Sequence, residues 1–152
     1  MNTLSSTSIN YSYLPTLIGH LTGLAHLRAT QLCTEALADL NLTPKQFVAL
    51  EFIAHNPTVT QREIAKHIGT TPTVLVAVLD ALTAQGLVRR MRSTVDRRRH
   101  SVQLTEQGEA MRERLSAAAQ TVEQRLQAES TLDAEEWQLL VKLMQKLTHR
   151  EI

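Results

Sequence analysis

The chain has 152 residues, 43% of them apolar, and its 16 basic side chains against 15 acidic ones give a formal charge of +1. That describes one globular domain able to bury roughly 68–70% of its unfolded surface, and it excludes a disordered chain. The lone Cys33 excludes an internal disulfide and any multi-cysteine zinc or iron–sulfur site, and the five dispersed glycines compose no phosphate-binding G-x-G-x-x-G or P-loop pattern.

The longest apolar run, Val74 to Leu79, is too short to cross a membrane, and the first basic residue is Arg28, so no charged start of a secretory signal is expected. A reducing, cytoplasmic setting follows. The aromatics Tyr11, Tyr13, Phe47, Phe52 and Trp137 are scattered and do not form a stacking platform for single-stranded nucleic acid.

Residues 1–12, rich in Ser, Thr and Asn, read as a flexible arm. From Leu14 to Leu40 the apolar positions keep helical spacing over one long stretch. Thr43, Pro44 and Gln46 form a helix start with a capping box, followed by Phe47, Leu50, Glu51, Ile53 and Ala54 and closed by Asn56-Pro57. A second capping box, Thr60 with Glu63, opens a short helix whose inner face is Ile64, Ala65 and Ile68 and which Gly69 ends.

Thr71 and Pro72 start another helix with core positions Leu75, Val78, Leu79 and Leu82, stopped by Gly86. Two helices this close, the first about two turns long, have the spacing of a helix-turn-helix. The period then changes. Leu87–Arg92 and Arg99–Leu104 predict a β-hairpin around the turn at residues 93–98. Thr105 caps a long helix with Met111, Leu115, Ala118, Val122 and Leu126 along one side, and a last helix from Leu132-Asp133 carries the stripe Trp137, Leu140, Leu143, Met144 and Leu147.

The charge is unevenly placed. Residues 1–86 sum to −1 and residues 101–152 to −3, whereas residues 87–100 carry six arginines against Asp96, for +5. Such a hairpin repels itself unless an anionic partner offsets it, and the guanidinium fork suits phosphate oxygens and narrow minor grooves. With a helix-turn-helix directly upstream, the fold class predicted is mainly α with a small β-hairpin wing: a winged helix-turn-helix at 41–105, plus helices at 13–40 and 106–152. The terminal stripes exceed what so small a core covers and predict a dimer interface.

The stretch Ile68-Gly69-Thr70-Thr71-Pro72-Thr73, the segments Leu79-Asp80-Ala81-Leu82 and Gly86-Leu87-Val88, the wing Asp96-Arg97-Arg98-Arg99 and the closing Leu104-Thr105-Glu106-Gln107-Gly108 resemble the MarR family of transcription regulators. The resemblance runs from about Leu14 to Leu147. It implies a homodimeric repressor on a pseudo-palindromic DNA operator, released by a small phenolic or aromatic ligand. It also implies Arg98 in the minor groove, held by Asp96, with Thr71 and Thr73 at phosphate or base edges. Arg89, Arg90, Arg92, Arg97 and Arg99 are then phosphate contacts, with Gln61 and Arg62 assisting from the preceding helix. The groove face carries Val76 and Ala77, where the family commonly has polar or basic residues; these can touch thymine methyls but cannot bond guanine.

His20 and Phe47 are the candidate ligand-binding residues under the same resemblance. No His spacing fits a zinc clamp, residues 101–148 hold no His, and neither a metal nor a cofactor is expected. No G-x-S-x-G elbow supports catalysis. Two alternatives stay open. One is a sensor acting through a protein partner without specific DNA reading; the other is an oxidation sensor built on Cys33, although the family's peroxide-sensing cysteine falls earlier, near Gly19, and no Lys or His closely flanks Cys33.

Overall fold

A computed structural model describes residues 11–57, 59–92 and 100–148. Among the described residues six α-helices and two paired strands follow in the order α1 (Ile18–Leu37), α2 (Pro44–His55), α3 (Gln61–His67), α4 (Pro72–Ala84), β1 (Val88–Arg92), β2 (His100–Leu104), α5 (Glu106–Glu129) and α6 (Ala134–Leu147). The mainly helical winged fold read from the sequence is therefore observed. The first stretch departs from one continuous helix. Short 3₁₀ turns at Leu14–Thr16 and Ala38–Leu40 flank α1, because Leu17 is extended and Asn41 adopts φ 54°.

The caps form as the sequence demands. Thr43 accepts from the Gln46 amide at 3.3 Å while the Gln46 side chain accepts from the Thr43 amide at 2.7 Å. Each such cap contributes about 1 kcal/mol. The inner face of α2 is Gln46, Ala49, Leu50 and Ile53, so Phe47 and Glu51 sit at its half-buried edge. The core joins this face to Ile64, Leu75, Leu79, Leu82, Leu87, Val102 and Leu115, each at most 1% exposed. β1 and β2 pair antiparallel from Val88↔Leu104 to Arg92↔His100, and Thr60 adds one bridge to Ser101.

The junction of β2 with α5 is held by the backbone. The Thr105 hydroxyl donates to the Gly86 carbonyl at 2.6 Å and accepts from the Gly108 amide at 3.0 Å, while the Thr105 amide donates to the Leu87 carbonyl at 3.1 Å. A Cβ on Gly108 would lie 2.1 Å from that same Leu87 oxygen. The Leu104-Thr105-x-x-Gly108 pattern is thus a backbone latch between α5 and the base of the hairpin.

From this latch α5 runs back along α1, its most extensive helix partner. The α1–α5 seam is rimmed by Arg28, whose Nε and Nη2 donate to Glu129 at 2.8 and 2.7 Å, and by Arg125 on Glu35 at 3.0 Å. α6 starts with a full capping box, Asp133 with Glu136, yet buries no residue; Leu139, Leu140, Val141, Leu143 and Leu147 are all exposed. Along the other end of the chain Leu14, Leu17, Ile18, Leu21 and Leu24 are likewise exposed. Among the described residues no single helix is long and apolar enough to cross a membrane.

Gly108→Ala should lower stability by about 2–3 kcal/mol, because the methyl must displace a backbone carbonyl and not a mobile side chain. Thermal unfolding followed by circular dichroism checks this. An unchanged melting temperature would mean that α5 does not seat against Leu87 as described.

Candidate nucleic-acid interface

α3 and α4 are bent 110° from one another, within the range of DNA-binding helix-turn-helix pairs. The turn depends on Gly69 at φ +68°, a left-handed conformation that L side chains rarely adopt. Thr60 fixes the start of α3 through its capping box with Glu63, and the Thr71 hydroxyl accepts from the Val74 amide to start α4. α4 then divides cleanly. Leu75, Val78, Leu79 and Leu82 are buried, while Thr71, Thr73, Val76, Ala77 and Asp80 are exposed. On the first turn of α3, Gln61 is half-buried and Arg62 exposed.

Alternation along β1 sends its two leading arginines to opposite faces of the hairpin. Arg90 shares the face of Val88 and reaches α4, where its Nη2 donates to the Asp80 carboxylate. Arg89 lies on the other face, in a shallow depression shared with Glu106 and Glu109 at the start of α5. Arg92 ends β1, and Asp96, Arg97, Arg98 and Arg99 fall outside the described residues.

A cavity of about 240 Å³ lies where α1, α2 and α5 meet. Phe47, Leu37, Leu115 and Leu126 supply its apolar wall, and Ala29 and Ala118 leave the space by being small. Cys33 is on this wall, and burial raises the pKa of its thiol. Beyond the cavity, Arg112 on α5 contacts Glu51 and Glu109 at 3.4 Å and donates to the His55 ring at 3.4 Å, tying α5 to α2.

The model of the MarR family matches residues 40–99. The HTH-type transcriptional repressor Rv2887 of Mycobacterium tuberculosis is 32% identical over 96 residues, 63% of this chain and 69% of that protein. The chain belongs to the MarR family. The transcriptional repressor CouR, solved bound to a 23-mer DNA duplex, superposes with a TM-score of 0.84 at 31% identity, covering 93% of this chain and 99% of that one. The MarR-family protein Rv2887, solved in complex with p-aminosalicylic acid, gives a TM-score of 0.72 at 26% identity over 87% of this chain and 98% of that one. This chain is accordingly a DNA-binding transcription regulator of that family, and the relatives it matches are regulators.

Set against the MarR fold, the residues named from sequence separate into groups. Thr71, Thr73, Val76 and Ala77 share the exposed face of α4, and Arg90 is tied to that helix. Of the two ligand candidates, Phe47 lines the cavity and His20 does not; His26, farther along α1, lines it instead. Asp80 was named in the sequence only within the Leu79-Asp80-Ala81-Leu82 segment of the resemblance, with no role of its own. Its signal was a lone carboxylate on the outer face of an otherwise uncharged helix.

The raised pKa keeps the Cys33 thiol protonated at and above neutral pH, and only the thiolate is nucleophilic. Iodoacetamide at pH 7.5 should therefore alkylate Cys33 at least tenfold more slowly in the folded protein than in urea, with the rate rising only at strongly alkaline pH. Equal rates in the two states would restore the oxidation-sensor alternative.

Proposed function

We propose that this protein is a homodimeric repressor that binds a pseudo-palindromic operator and leaves it when a small ring-bearing molecule fills the cavity between α1, α2 and α5. The observation that carries the DNA half is the exposed α4 face of Thr71, Thr73, Val76 and Ala77, joined through Asp80 to the arginine strand. Recognition helices place their first turns in the major groove, and arginines beside them neutralise phosphates. Thr71 and Thr73 meet phosphate or base edges there, and Val76 and Ala77 contact thymine methyls. Arg89, Arg90, Arg92, Arg97 and Arg99 add phosphate contacts, Gln61 and Arg62 assist from α3, and Arg98 with Asp96 carries the minor-groove contact that the family resemblance implies.

The exposed stripes of α6 and of the start of α1 support a second copy as their cover, making 13–40 and 106–152 the dimerisation region. A two-fold dimer supplies two α4 helices for half-sites about 34 Å apart. The cavity supports the ligand half of the reading, since it lies between the α1–α5 scaffold and the first helix of the DNA-binding unit. A molecule that fills it in one arrangement of these helices and not in another shifts the spacing of the two α4 helices. The protein acts without enzymatic chemistry, in the cytoplasm where operator DNA is found.

A gel-shift on the promoter nearest its own gene tests the reading, with specific binding expected at physiological salt. Arg98→Ala should lose most of that affinity, and replacing operator thymines by uracil should weaken binding about tenfold at positions facing Val76. Absence of a specific complex would favour action through a protein partner. Unchanged binding of the uracil operator would remove the methyl-contact role of Val76.

Sedimentation should show a dimer at micromolar concentration, converted to monomer by Leu140→Glu with Leu143→Glu. A wild-type monomer would end the two-half-site model.

A further inference from the structure

We propose that the cavity selects uncharged ring compounds bearing a single hydroxyl or carbonyl, and rejects aromatic carboxylates. This rests on the reading of the cavity as the effector site and names the ligand class. A cavity of about 150 Å³ lined by aliphatic and aromatic side chains holds one benzene. The 240 Å³ between α1, α2 and α5 therefore suits two fused rings, or one ring with substituents.

The charge pattern decides the class. Among the described residues, the titratable side chains on its lining are His26, Cys33 and Glu123, with no lysine or arginine. Cys33 is kept as a neutral thiol by burial. Glu123 and His26 are both exposed, placing them at the rim. The carboxylate of Glu123 sets a negative charge at the entrance, while His26 and Thr30 offer hydrogen bonds to a single polar group.

The nearby cations are engaged elsewhere. Arg28 makes two bonds to Glu129, Arg125 pairs with Glu35 and Glu129, and Arg112 bridges Glu51 and Glu109. Lys45 on α2 is exposed and outside the lining. A carboxylate entering this space loses its water, gains no cation, and meets a like charge at the rim. A hydroxyl or carbonyl of the same shape loses far less.

The test compares 2-naphthol with 2-naphthoate at pH 7 on the full chain, by isothermal titration and thermal shift, in wild type, Ala29→Leu and Glu123→Gln. The expected result is 2-naphthol binding at least tenfold tighter than 2-naphthoate. Ala29→Leu, which narrows the space, should weaken 2-naphthol several-fold; Glu123→Gln, a change on an exposed side chain, should narrow the preference by raising affinity for 2-naphthoate. If 2-naphthoate binds as tightly as 2-naphthol and Ala29→Leu weakens both, the cavity binds ligands and the assigned class is wrong. If neither probe binds, or binding ignores Ala29→Leu, the effector-site reading itself falls.

Discussion

The absence of a side chain at Gly108 sets the geometry on which the other parts depend. With a hydrogen in place of Cβ, the first turn of α5 lies against the Leu87 carbonyl, and the Thr105 hydroxyl bonds to both sides of the joint. The direction in which α5 leaves the hairpin is therefore fixed by backbone contact and not by packing that neighbouring side chains could re-adjust. Over the length of α5 a small error of angle here would grow into a large displacement at Glu129. The seam with α1 would then lose the alignment that pairs Arg28 with Glu129 and Arg125 with Glu35. Those exposed pairs are each worth about 0–1 kcal/mol and record the register more than they create it.

The latch holds one end of the connection between the DNA-binding unit and the α1–α5 scaffold; the cavity lies at the other. The space of about 240 Å³ between α1, α2 and α5 opens to solvent beside Glu123 and His26, and the small side chains of Ala29 and Ala118 leave room in its wall. Beyond the cavity, Arg112 on α5 reaches Glu51 and His55 on α2 at 3.4 Å, at the long end of hydrogen-bond distance. If the cavity is the effector site, these two joints are the ends of a lever between it and α4. Under the proposed function, the ligand need only prefer one setting of this lever to shift the population bound to DNA.

What the sequence made legible was local. Thr43 with Gln46, Thr60 with Glu63, Thr71 before Pro72 and Thr105 before Gly108 each act within four residues, so their spacing alone determined where α2 to α5 begin. The break before α1 at Leu17 was hidden because apolar positions continue through it, and periodicity does not register one extended residue. On α2, Leu50 and Ile53 are buried, Phe47 packs at the edge of the core, and Gln46, read only as a capping partner, is buried beside its cap bond. Arg89 and Arg90 were alike in sequence and differ in structure, because which face of a hairpin meets α4 and which meets α5 is a property of topology. His26 in place of His20 on the cavity follows similarly from how far along α1 the end of α2 docks.

Two apolar surfaces remain uncovered, and their surroundings assign them different partners. The stripe of α6, with Leu139, Leu140, Leu143 and Leu147, is broad and is matched by a second one, Leu14 to Leu24, on the opposite end of the chain. Under the proposed function a second copy covers them, since another apolar stripe removes such surface from water. On α4 the exposed apolar residues include Val74, Val76 and Ala77, bordered by Thr71, Thr73 and the Asp80–Arg90 pair. So small an apolar strip within a polar and cationic margin resembles the floor of a major groove in reverse, with methyl groups at the centre and phosphates at both edges. Under the proposed function, the solvent exposure that a second copy would cover on α6 serves on α4 to meet thymine methyls in the major groove.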